Sequence, residues 1–188
     1  MTRTKLLRVL KKAIAVGTKD IWYHGRTTKA QVFDEERTGK GNEQQGPGFY
    51  FSSDYKDAAS YAYPDGIVMT AKIDIANLTP KEFEESDFEV FVARADPDDL
   101  ATTLSNYAED PEEAKEAIKK AIINDDDPYL TVWYELFRHD PVGYLKTMVE
   151  LGYDGHEAIP NETIAIRHLI VYNPDVIDIQ KVDDYKKE

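Results

Sequence analysis

Residues 46–63 read GPGFYFSSDYKDAASYAY. A glycine turn leads into Phe49-Tyr50-Phe51-Ser52, whose aromatic content favours a strand. Ser53 or Asp54 follows with a side-chain oxygen suited to cap a helix. Ala58, Ala59 and Ala62 then recur at helical spacing and offer a close-packing face. The stretch is a strand–turn–helix unit. Successive strand residues point to opposite faces, so Tyr50 and Phe51 have different surroundings. We expect Phe51 in the core and Tyr50 at a site. Tyr61, at the helix end, is expected to line that site, and Tyr55 and Tyr63 to pack or lie on the surface.

Working outward, Asp20 to His24 is a short aromatic strand. Thr27 to Gln45 is polar, contains Gly39 and Gly41, and suggests a helix or loop. Ile67 to Ile75 alternates cleanly and predicts another strand. Asp98 to Glu150 carries successive helix signals. Asp110-Pro111-Glu112-Glu113 joins a capping residue to proline at the first helical position. Asp127-Pro128 starts a second helix bearing Trp133 and Phe137, expected in the core, and Pro141 a third. Glu162 to Tyr172 and Val176 to Lys181 read as strands around an Asn173-Pro174-Asp175 turn. Leu6, Leu7, Leu10 and Ile14 would form the buried stripe of an amphipathic helix within residues 1–19. The fold class is α+β: strands near both ends of a single domain, 1–188, with a helical insertion at 98–150.

The chain has 188 residues, 41% of them hydrophobic, enough for a packed core. It has no cysteine, which excludes disulfide frameworks and thiolate metal sites. No apolar run approaches the ~20 residues that span a bilayer. The basic N-terminus lacks a continuous apolar segment, so we expect a cytoplasmic protein. The net charge of −13 repels phosphate backbones, which disfavours nucleic acid partners. It keeps the protein soluble and can attract basic proteins. Arg26, Arg37 and Lys40 supply positive charge near the candidate site.

Tyr23-His24-Gly25-Arg26-Thr27-Thr28 resembles the first motif of the diphtheria-toxin-like ADP-ribosyltransferases, which include the poly(ADP-ribose) polymerases. Gly48-Phe49-Tyr50-Phe51, followed by Ser53, Ala59 and Tyr61, resembles their second. Leu151-Gly152-Tyr153-Asp154-Gly155 and Ile170-Val171-Tyr172-Asn173-Pro174 are similar to the C-terminal part of small phage and bacterial members. The resemblance covers the first and last thirds of the chain. It implies a fold of split antiparallel β-sheets with peripheral helices, and NAD as substrate without a metal. It also implies a macromolecular acceptor, which we expect to be a protein.

Residue by residue, the resemblance implies that Tyr50 and Tyr61 flank the nicotinamide ring, a flat cation that aromatic faces stabilise. Gly25 would hold the carboxamide through its main chain, and His24 would bond the ribose. Gly48, Phe49 and Ser52 complete the expected NAD-binding stretch. Arg26 and Arg37 are candidates for the phosphate or adenosine side, since arginine grips phosphate bidentately.

One position departs from the pattern. The family commonly carries a glutamate two residues before the Ile-Val-Tyr-like segment, and here that residue is His168. Three readings stay open. His168 itself serves, as proton acceptor or ribose partner. Alternatively Glu162 or Glu157 fills the position, or His168 is a plain strand residue. The leading expectation is mono-ADP-ribosyl transfer to a protein. Rivals are NAD hydrolysis, RNA 2′-phosphotransfer on a related fold, and a non-catalytic acidic binding protein.

Overall fold

The computed structural model describes residues 20–34, 46–74, 77–158 and 166–185. The expected N-terminal helix, Arg37, Lys40 and Glu162 lie outside the described residues. The chain divides into two units. One comprises residues 1–34, 48–78 and 152–188, and the other 35–47 and 79–151.

Among the described residues the first unit is a six-stranded antiparallel sheet with one short α-helix, α1 (Tyr55–Ser60). Its strands are β1 (Asp20–Arg26), β2 (Phe49–Ser52), β3 (Ile67–Ile73), β4 (Gly155–Ala158), β5 (His168–Val171) and β6 (Ile177–Asp184), in the spatial order β4-β5-β2-β1-β3-β6. β1 pairs with β3 along its whole length, from Asp20 opposite Ile73 to Arg26 opposite Ile67. Its pairing with β2 is far shorter, one registered pair of Tyr23 opposite Ser52. The expected split falls here, between the β4-β5-β2 half and the β1-β3-β6 half. A β-bulge interrupts β3–β6 between Thr70 and Ala71.

Alternation sorts the side chains. Trp22, Phe49, Phe51, Ala71, Ile73, Leu169 and Val171 form one buried cluster, with Phe33, Leu78, Val176 and Ile177 packed against it. Phe51 is 2% exposed, the core position expected of it. On the other face lies α1 (Tyr55–Ser60). Its Ala58 and Ala59, with Ala62 just beyond, pack on Val68 and Tyr23. Asp54 caps this helix, accepting from the Asp57 main-chain N–H at 2.9 Å.

The second unit is helical: α2 (Glu85–Arg94), α3 (Pro97–Tyr107), α4 (Pro111–Ile123), α5 (Pro128–Leu136) and α6 (Pro141–Leu151). The signal Asp-Pro opens the last four. Proline tolerates the first turn, where its missing N–H is not needed. The aspartates at 96, 110, 127 and 140 accept main-chain N–H groups of the same turn. α2 has no such side-chain cap. The core is aromatic: Phe91, Phe137 and Tyr144 are fully buried, with ring contacts at 6.0 Å and 5.8 Å. Trp133 is buried with them. Tyr144 donates its hydroxyl to the Tyr129 carbonyl at 3.0 Å, which satisfies the one polar atom of that ring. Among the described residues no helix is long and apolar enough to cross a membrane.

Candidate functional site

His24 sits near the end of β1, where the sheet splits. Its Nδ1 lies 2.6 Å from the main-chain oxygen of Tyr50 on β2. A carbonyl only accepts, so Nδ1 carries the proton and donates. The ring is held on its sides by Phe33 and Phe51, with centroids 5.1 Å and 5.3 Å away. Burial pushes the His24 pKa down from 6.5 to about 4. The bond to Tyr50 opposes this shift, and the nearby Arg26 charge adds to it. At neutral pH the imidazole is uncharged, and Nε2 presents a lone pair. The site thus has a hydrogen-bond acceptor with a defined tautomer.

Arg26 helps to build this environment. Its guanidinium donates to the carbonyls of Ala30 and Val32 at 3.1 Å and 3.2 Å. These bonds fold the segment after β1 back, so that Phe33 comes onto His24 and Phe49.

Gly25 is pressed against α1. A Cβ there would lie 1.7 Å from the Ala58 carbonyl oxygen and 3.3 Å from the Ala62 nitrogen. Glycine is therefore required for the helix to lie on the strand, and only its main chain is left to meet a ligand. The same contact brings the end of α1 next to β1. Tyr61, the residue that ends the helix, is there and 60% exposed. Tyr50 is half-buried and projects opposite to Phe49 and Phe51, on the α1 side of β2. The main chains of His24, Gly25, Tyr50 and the last turn of α1 thus come near one another, with the His24 ring on the Phe51 face of β2 and the Tyr50 ring on the α1 face.

Gly48 enters β2 at φ 150°, and a Cβ there would lie 2.4 Å from Ile170 Cγ2. The Phe49 side chain is core, leaving its main chain as the part able to touch a ligand. Ser52 is 4% exposed, and its hydroxyl accepts from the Asp54 N–H at 3.1 Å, shaping the turn into α1. Tyr55 stacks edge-on against Tyr23.

His168 lies opposite Ser52 in the register of β2 and β5. Its Nε2 is 2.8 Å from Asp57 Oδ2 in the first turn of α1. Glu157 goes elsewhere. Arg167 forks onto it at 2.6 Å and 2.8 Å and holds its carboxyl below the usual range. The same guanidinium lies 5.1 Å from the Trp22 ring centroid. Glu157 pairs with Leu169, and His168 with Ala158, so Glu157 and His168 face opposite sides of the sheet. Two participants were not foreseen from sequence, Asp57 and Phe33. Neither belongs to a motif, and each acquires its partner only through the fold.

Comparison with protein families gives a match. The family described as ADP-Ribosyltransferase in polyvalent proteins matches residues 15–177. The chain belongs to this family of ADP-ribosyltransferases. No curated protein and no solved structure matches it. The matched span takes in β1, β2, α1 and β5, and so includes His24, Tyr50, Tyr61 and His168. It also runs through the helical unit, which the motif resemblance did not reach. The six-stranded antiparallel sheet with its helices agrees with an ADP-ribosyltransferase fold.

Proposed function

We propose that the chain transfers a single ADP-ribose from NAD⁺ to a protein acceptor, releasing nicotinamide. The observation that carries this reading is the His24 to Tyr50 main-chain bond. It fixes an uncharged imidazole with its acceptor nitrogen available at the split of the sheet. A ribose hydroxyl is the natural donor to such a nitrogen, and holding it orients the sugar carbon that reacts. The main chain of Gly25 supplies amide groups suited to the carboxamide. Tyr50 and Tyr61 offer ring faces to the nicotinamide cation, each worth about 0.5–2 kcal/mol.

The chemistry follows from glycosyl transfer. The bond from ribose carbon to nicotinamide nitrogen breaks, and its electron pair leaves with the nicotinamide. The carbon passes through an oxocarbenium-like state, which the acceptor captures as it loses its proton. Positioning and electrostatics provide most of the acceleration. His168, on the neighbouring half of the sheet, is our candidate for the third catalytic position. Glu162 is kept as its alternative, and Arg26 and Arg37 as phosphate partners.

The test is incubation with isotope-labelled NAD⁺ and a cell lysate. Label on protein together with nicotinamide release supports transfer. Free ADP-ribose alone would indicate hydrolysis instead. His24→Ala should abolish both products. A wild-type chain that neither binds nor turns over NAD⁺ would overturn the proposal.

A further inference from the structure

The family's usual glutamate is replaced here by a histidine, and the structure supplies that histidine with an acid. His168 Nε2 and Asp57 Oδ2 are 2.8 Å apart. Their side chains are only 16% and 24% exposed, so the pair is substantially shielded from water. A carboxylate only accepts, so Nε2 is the protonated nitrogen. In the uncharged form of the ring the lone pair is on Nδ1. An acid that fixes the tautomer of an imidazole and steadies its protonated form is the arrangement by which histidine takes a proton from a hydroxyl. Asp57 is also well placed to be rigid. Its main-chain N–H is bonded to the cap residue Asp54, and its helix lies directly on β1 through Gly25 and Ala58.

The chemistry of acceptors narrows the choice. A side-chain carboxylate reaches the site already ionised and has no proton to lose. A guanidinium keeps its proton to above about pH 12, beyond the reach of an imidazole. A hydroxyl is nucleophilic enough only if its proton is taken as the bond forms, which a positioned base provides. RNA also offers hydroxyls, but a chain of net charge −13 repels its phosphates.

We infer that Asp57 is a positioning residue which orients His168 as proton acceptor, and that the group this pair serves is a serine or threonine hydroxyl of a protein. The inference rests on the NAD⁺ reading above. In the step proposed, the acceptor oxygen bonds to the ribose carbon and the nicotinamide nitrogen departs with the electron pair. The hydroxyl proton passes to His168 Nδ1.

The experiment uses the full chain, labelled NAD⁺ and a lysate. It reads NAD⁺ affinity by titration, transfer rate at saturating NAD⁺, and the modified residues by mass spectrometry. Asp57→Asn should lower the rate about a hundredfold or more, the lower range for loss of a positioned acid–base group, with NAD⁺ affinity within about twofold of wild type. Asp57→Glu should restore part of the rate. His168→Ala should lose as much as Asp57→Asn, and the double variant no more than either, as for residues acting as one unit. Label should sit on serine or threonine. Normal transfer by Asp57→Asn would overturn the inference while leaving NAD⁺ chemistry intact. So would a parallel fall in rate, affinity and melting temperature, which marks a strut rather than a positioning group. Label on glutamate, arginine or RNA would overturn the acceptor class. A wild-type chain that does not bind NAD⁺ would remove the underlying reading and this inference together.

Discussion

His24 shows how much one side chain can encode. Packing under Phe33 and Phe51 lowers its pKa to about 4, although the bond from Nδ1 to a carbonyl opposes the shift. The unfolded chain therefore binds more protons than the folded one between about pH 4 and 6.5. The contribution is complete above pH 6.5 and is lost as the pH falls towards 4. It amounts to at most roughly 3 kcal/mol. Denaturant titrations at pH 7, 5.5 and 4.5 should show this decline, and His24→Asn should flatten it. NAD⁺ affinity should stay level from about pH 6 to 8, because His24 does not change charge there. Gly25→Ala tests the strand–helix contact. Its methyl group would meet the Ala58 carbonyl oxygen, and main chain on both sides has little room to move. A loss of about 1–3 kcal/mol in thermal or denaturant unfolding is expected, with weakened NAD⁺ binding. His24, Tyr50 and Tyr61 stand out in the sequence because they sit in short motifs of distinctive residue types. Asp57 was not, because its partner is 111 residues away.

Among elements, local signals and local structure agree where the chain carries its own instructions. The Asp-Pro steps at 96–97, 110–111, 127–128 and 140–141 each mark a helix start. At 110, 127 and 141 they were readable without tertiary information. Asp110→Ala should cost about 1 kcal/mol, since it removes the acceptor for the Glu112 and Glu113 N–H groups. Asp54→Ala should cost a similar amount and should also weaken NAD⁺ binding. Its helix has six residues, so one cap matters more, and it carries Asp57 and ends at Tyr61. Chemical denaturation and NAD⁺ titration of both variants check these expectations. Two elements were not foreseen. α2 begins at Glu85 without a side-chain cap or proline. β4 is four residues long, and its identity comes from the neighbour it pairs with, β5.

For the whole molecule, the net charge of −13 favours solubility and opposes compaction. Surface ion pairs such as Arg94–Glu150 and Lys29–Asp184 offset little of this repulsion. Added salt should therefore raise the melting temperature between about 0.02 M and 0.3 M, as the screening length shrinks towards a few ångströms. A melting temperature that falls over this range would show that specific ion pairs outweigh repulsion. Core variants such as Phe137→Ala should cost about 3–5 kcal/mol, since that ring is fully buried between Phe91 and Tyr144.

By itself, the sequence determined the α+β class, most element starts, and the motifs that mark the ADP-ribosyltransferase family. These rest on periodicity, capping chemistry and short-range spacing, all of which act within a few residues. Only the tertiary structure decided that β1 and β2 meet at one registered pair, that Gly25 serves helix packing, that Glu157 belongs to Arg167, and that Asp57 faces His168. Each depends on strands and helices distant in the chain being brought together, and no local rule specifies which distant side chain will stand opposite.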